Sequence, residues 1–153
     1  MDALKRFLAV CLCFSLWGCT KNTVSSTNST AGTISEETVT DQKDEVALYL
    51  VTYQHLPSCY MTKKEARKQG WSGGALNQTI QGKCIGGDVY SNYEEVLPKI
   101  SGKYYECDID TLTKTSRGAE RIIYDDDKKD IDVYYTNDHY ATFTLLYGDG
   151  KYD

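Results

Sequence analysis

Four side chains in the second half of this 153-residue sequence, Glu106, Arg117, Arg121 and His139, are of the types that move protons beside a phosphate or hold its charge. A carboxylate can serve as a base and an imidazole as an acid, while guanidinium groups hold the charge that develops on phosphoryl oxygens. All four lie in or next to predicted strands, where an unpaired charge is costly if buried. The same residues would equally suit a surface ion-pair network, and composition and spacing leave both readings open.

The elements that must position these residues follow from periodicity. Val46, Tyr49, Leu50 and Tyr53 recur at spacings of three and four, which predicts a helix ended by Leu56-Pro57. Thr62-Lys63-Lys64-Glu65 is a capping box that opens a second, short helix closed by Gly70. Two lysines in the first turn oppose the helix dipole; they are either solvated surface residues or the mark of a bound anion. Residues 85–90, 103–109, 121–124, 131–135 and 142–146 are short β-rich runs, with the polar stretch Asp125-Asp126-Asp127-Lys128-Lys129-Asp130 as a hairpin connection. Helices followed by an antiparallel sheet make an α+β fold.

The N-terminus reads as an export signal, with Lys5 and Arg6 ahead of an apolar run that is too short to span a bilayer. Leu16-Trp17-Gly18-Cys19 at its end resembles a bacterial lipobox, in which the cysteine is acylated, so 1–18 is expected as a signal peptide and Cys19 as a lipid anchor. Residues 19–44, rich in Ser, Thr and Asn, read as a flexible tether, and 45–153 as the folded domain. The net charge of −5 excludes a strongly basic nucleic-acid-coating surface. Only Cys59, Cys84 and Cys107 fall in the domain, with no CxxC pair, so one disulfide plus a free thiol or three reduced thiols are expected, and no metal site.

Order and type of residues then carry a resemblance. Val46-Ala47-Leu48-Tyr49-Leu50, Thr62-Lys63, Glu65-Ala66, Gly70-Trp71, Ile85-Gly86-Gly87-Asp88, Ser91-Asn92, Leu97-Pro98, Ser101-Gly102, Glu106, Asp108-Ile109, Arg117, Arg121-Ile122 and the run 138–144 are similar to the barnase-like guanyl-preferring bacterial ribonucleases. The resemblance spans roughly residues 45–146. It implies the microbial ribonuclease fold, N-terminal helices packed on a C-terminal antiparallel sheet. It also implies cleavage of single-stranded RNA after guanosine, without metal or cofactor, through a 2′,3′-cyclic phosphate.

By position, the resemblance implies that Glu106 is the base for the ribose 2′-OH and His139 the acid for the departing oxygen. Lys63, Arg117 and Arg121 become the cations at the phosphate, and Asp88 a carboxylate that positions them. Tyr90 and Tyr140 flank the base pocket, and Glu94 with the backbone of Ser91 and Asn92 reads guanine. Cys84 becomes the partner in any disulfide, with Cys59 or Cys107. A monomer acting on RNA, held to the membrane through Cys19 and open to a barstar-like protein inhibitor, completes the expectation. The family usually has Arg where this chain has Tyr93, and its basic net charge is reversed here. The alternative from another class is a catalytically silent surface lipoprotein of the same fold that binds RNA or a protein.

Overall fold

The structure is a computed structural model and describes residues 32–151. The expected leader, Cys19 and the first part of the expected tether lie outside the described residues. Helix α1, Lys43–Tyr53, carries Asp44 and Glu45 in its first turn, where negative charge suits the free N–H groups. Its inner face buries Val46, Ala47, Tyr49 and Leu50. It stops at Gln54, a left-handed residue (φ 61°) whose N–H reaches the Leu50 carbonyl at 2.8 Å, before the expected Leu56-Pro57.

The folded body begins earlier than residue 45. Thr40 and Asp41 are buried, and the Asp41 carboxylate accepts backbone N–H groups from Thr111 at 2.5 Å and Leu112 at 2.6 Å. Tyr49 and Tyr53 donate their hydroxyls to the carbonyls of Glu36 and Ile34. The expected tether boundary at 44 is therefore corrected: Asp41 is satisfied by partners about 70 positions away, which local composition cannot reveal.

Strand β1, Tyr60–Met61, is followed by α2, Lys63–Lys68, with both halves of the Thr62/Glu65 capping box formed. After a 3₁₀ turn at Leu76–Gln78 come β2 (Cys84–Tyr90), β3 (Tyr104–Asp108), β4 (Arg121–Asp125), β5 (Val133–Thr136) and β6 (Thr144–Tyr147). They form a six-stranded sheet in chain order, antiparallel except for the β1–β2 pair. This is the expected α+β fold. The two-residue β1 was not legible, because a pair of residues carries no periodicity.

The sheet divides its residues by alternation. Cys107 and Ile122 face α1 and join Val46, Ala47, Leu50, Ile109 and Val133 in the main core. Their neighbours Glu106, Asp108, Arg121 and Ile123 therefore point to the opposite face. At Gly86 a side chain would lie 2.6 Å from both Cys107 and Tyr60, so glycine is required for β1, β2 and β3 to approach there. Cys59, Cys84 and Cys107 are all buried free thiols, which is the reduced alternative rather than a Cys84 disulfide. No helix among the described residues is long and apolar enough to cross a membrane.

Candidate active site

Strand register brings the charged residues of the second half together. Asp88 lies opposite Glu106 on the β2–β3 ladder, and Asp108 lies opposite Arg121 on the β3–β4 ladder. Glu106 and Asp108, two residues apart, share one face. The Lys63 ammonium, brought in by the start of α2, sits 2.5 Å from Glu106 Oε1, and the Tyr140 hydroxyl donates to Oε2 at 2.6 Å. Burial pushes the Glu106 carboxyl up, but the hydrogen bonds from Lys63 and Tyr140 and the charges of Lys63 and Arg121 outweigh it and leave the pKa below the ordinary glutamate value. Glu106 is thus buried, ionised at neutral pH and paired.

Asp108, almost wholly buried, organises both guanidinium groups. Arg117 grips it with two bonds of 2.7 Å, and Arg121 Nε lies 3.0 Å from Oδ1. Arg121 Nη1 also donates to the carbonyls of Glu120 at 2.6 Å and Arg117 at 3.2 Å, which fixes its plane. The bond to Asp108 raises the Arg117 pKa, so it remains charged throughout the working range.

Asp88 differs from expectation in detail. Its Oδ2 accepts the backbone N–H of Lys63 at 2.9 Å, so it seats the residue that carries the ammonium, while Asp108 holds the two arginines. The resemblance includes Asp108 but implies no role for it. The readable signal was a carboxylate two positions after Glu106 inside a strand, where only a buried partner makes a charge tolerable.

His139 and Tyr140 sit on the β5–β6 connection in consecutive left-handed conformations, with φ of 59° and 75°. Such strain at non-glycine residues persists only where the surroundings impose it. Asp138 supplies the restraint: its carboxylate accepts the Thr136 hydroxyl at 2.8 Å and both the N–H and hydroxyl of Thr142, at 2.9 and 2.6 Å. Those bonds, the Thr142 hydroxyl first, lower the Asp138 pKa to about 2. His139 is exposed, with its ring centre 4.9 Å from that of Tyr140.

Tyr140 stacks on Tyr90 with ring centres 5.3 Å apart. Tyr90, Ser91, Tyr93, Glu94 and Tyr140 line a cavity of about 190 Å³ beside the charged cluster. The Asn92 side chain staples the loop through Leu97, donating to its carbonyl at 2.9 Å and accepting its N–H at 3.1 Å, and itself adopts φ 45°. A second cavity, of about 450 Å³, is lined instead by residues that include 54–58, Tyr105, Tyr124 and 125–128 and by none of Lys63, Glu106, Arg117, Arg121 or His139. Among the described residues no group of three His, Cys, Asp or Glu side chains is placed to hold a metal ion.

The ribonuclease family model matches residues 24–147, most of the chain. The chain belongs to the ribonuclease family. The relatives of this ribonuclease-family chain include the ribonuclease of Bacillus intermedius, 45% identical over 106 residues that cover 67% of this chain and 63% of the relative. The ribonuclease of Heyndrickxia coagulans is 46% identical over 106 residues, 94% of its own length. Guanyl-specific ribonuclease Sa of Kitasatospora aureofaciens is 44% identical over 61 residues, 39% of this chain and 62% of that protein. The chain thus spans less than two thirds of the length of the Bacillus relative.

Proposed function

We propose that this protein is an endoribonuclease that cleaves single-stranded RNA on the 3′ side of guanosine by transesterification. The observation that carries the reading is one sheet face bearing a paired carboxylate (Glu106), two guanidiniums on a shared buried aspartate (Arg117 and Arg121 on Asp108) and, on the adjoining strained loop, an imidazole (His139). A surface ion-pair network would leave such groups solvated; here Glu106, Asp108 and Arg121 are buried.

In the proposed reaction Glu106 takes the proton of the ribose 2′-OH, whose oxygen attacks the neighbouring phosphorus. The O2′–P bond forms and the P–O5′ bond breaks, and His139 supplies the proton to the departing 5′-oxygen. The nucleophile is already tethered to the phosphate, so positioning is largely intramolecular. Arg121, Arg117 and the Lys63 ammonium stabilise the phosphoryl charge, which is the role a metal would otherwise fill. The resulting 2′,3′-cyclic phosphate is then hydrolysed with Glu106 and His139 in exchanged roles. Tyr140 orients Glu106 and, with Tyr90, closes one side of the base cavity; Glu94 and the backbone of Ser91 and Asn92 face guanine from the other.

The name of the Kitasatospora relative supports the base preference, and Glu94 in the cavity wall provides an acceptor for the guanine edge. Exterior location and a lipid at Cys19 rest on the leader pattern, and a barstar-like inhibitor on the resemblance. The purified protein, given a guanosine-containing dinucleotide and excess chelator, is expected to yield the cyclic phosphate. No cleavage, or cleavage only with divalent metal, overturns the reading.

A further inference from the structure

Helix α2 carries more positive charge than its contact with Glu106 requires. Lys64, Arg67 and Lys68, spaced to share one face, are exposed, while Ala66 is buried against Trp71, Leu76 and Ile85. The ion pairs among the described residues employ Lys43, His55, Lys63, Lys99, Lys114, Arg117 and Arg121, but none of these three. Three cations on one short helix, in no ion pair among the described residues, form a local positive field in a chain of net charge −5.

This face is continuous with the candidate active site. The guanidinium carbons of Arg67 and Arg117 lie 5.7 and 5.9 Å from the centre of the same Trp71 ring. Trp71 is itself fixed, almost fully buried, with its ring N–H donated to the Gly74 carbonyl at 3.0 Å. A row of cations therefore runs from Arg121 through Asp108-held Arg117 and across Trp71 to Arg67. The base cavity lies at the other end of β2: Tyr90 closes that strand and leads into Ser91 and Glu94, whereas Ala66 of α2 packs on Ile85 at its start. Glu106, opposite Asp88, lies between the two.

We propose that Lys64, Arg67 and Lys68 form an RNA-binding surface for the phosphates on the 3′ side of the cleaved bond. The proposal rests on the ribonuclease reading above. A strand whose guanosine occupies the cavity at the Tyr90 end passes Glu106 with its scissile phosphate and continues over α2. The surface supplies local attraction for an anionic polymer that the acidic protein as a whole repels.

The test compares wild type with the triple variant Lys64→Gln/Arg67→Gln/Lys68→Gln on two substrates: a guanosine-containing dinucleotide, and the same dinucleotide extended by several nucleotides on its 3′ side. Dinucleotide cleavage by the variant should be unchanged, which also shows that it folds. For the extended substrate, the variant should lose the wild-type gain in kcat/KM. Its plot of log kcat/KM against log salt should be shallower by about 2, since each phosphate-neutralising cation contributes a slope of about 0.7 on single strands. Equal extension gains and equal salt slopes in the two proteins would overturn the proposal. So would a variant that loses only adhesion to phosphatidylserine vesicles, because the face would then serve a lipid surface. A wild type that fails on the dinucleotide overturns the ribonuclease reading itself.

Discussion

The Lys63 ammonium lies 2.5 Å from Glu106 Oε1, so the carboxylate expected to take a proton is held by the cation expected to meet the phosphate. This pairing keeps Glu106 ionised and keeps Lys63 at the position where a phosphate would enter. When an anion arrives, Lys63 has two acceptors to choose between, and any weakening of its bond to Glu106 makes that carboxylate more basic.

A pH consequence follows from the sign of the shift. Hydrogen bonds from Lys63 and Tyr140 stabilise the charged form of Glu106, so the acidic limb of kcat/KM for the free enzyme should fall below the ordinary glutamate pKa of about 4.3. Tyr140→Phe and Lys63→Ala should each move that limb upward. The folded-state pKa is depressed, so Glu106 contributes stability above its unfolded pKa and loses it as pH falls through the folded value. Acid unfolding followed by circular dichroism should therefore begin at higher pH in Tyr140→Phe than in wild type.

The acid and base are expected to act as a unit. Glu106→Gln and His139→Ala should each lower the cleavage rate by about 10²- to 10⁴-fold with the circular dichroism spectrum retained. The double variant should be little slower than the slower single one. Full activity in a folded His139→Ala protein would remove the proposed acid.

Asp108 is the structural hinge of the cationic site. Its removal takes from Arg121, which is 2% exposed, the carboxylate it is ion-paired with. Asp108→Asn should cost about 3–5 kcal/mol in chemical denaturation, the usual result of breaking one side of a buried pair. Asp88→Asn, at a half-buried carboxylate that accepts one backbone N–H, should cost less than Asp108→Asn in the same measurement.

Asp138 is expected to affect activity more than stability. It is exposed, yet its carboxylate holds the loop on which His139 and Tyr140 adopt strained conformations. Asp138→Ala should slow cleavage while leaving the thermal midpoint nearly unchanged. With its pKa lowered to about 2, the clamp should persist well below the ordinary aspartate value and release only as pH falls toward and through about 2. Amide exchange at residues 139–142 over that interval reads the release.

The sequence by itself determined the helices, five of the six strands and the residue types of the site. Val46, Tyr49 and Leu50 repeat at helical spacing, Thr62 and Glu65 form a cap within one turn, and the β-rich runs are bounded by turn residues. Each is a local relation, complete within a few residues of chain. Tertiary structure decided what depends on pairing at long range. Asp41, in a stretch that reads as tether, is buried because Thr111 and Leu112 bring their N–H groups to it. Asp108, not Asp88, took the arginines because the β3–β4 register set it opposite Arg121. Arg67 and Arg117 share Trp71, and the three buried cysteines remain free thiols. Burial makes such a charge or polar group costly without a partner, but the identity of that partner is set only when distant segments meet.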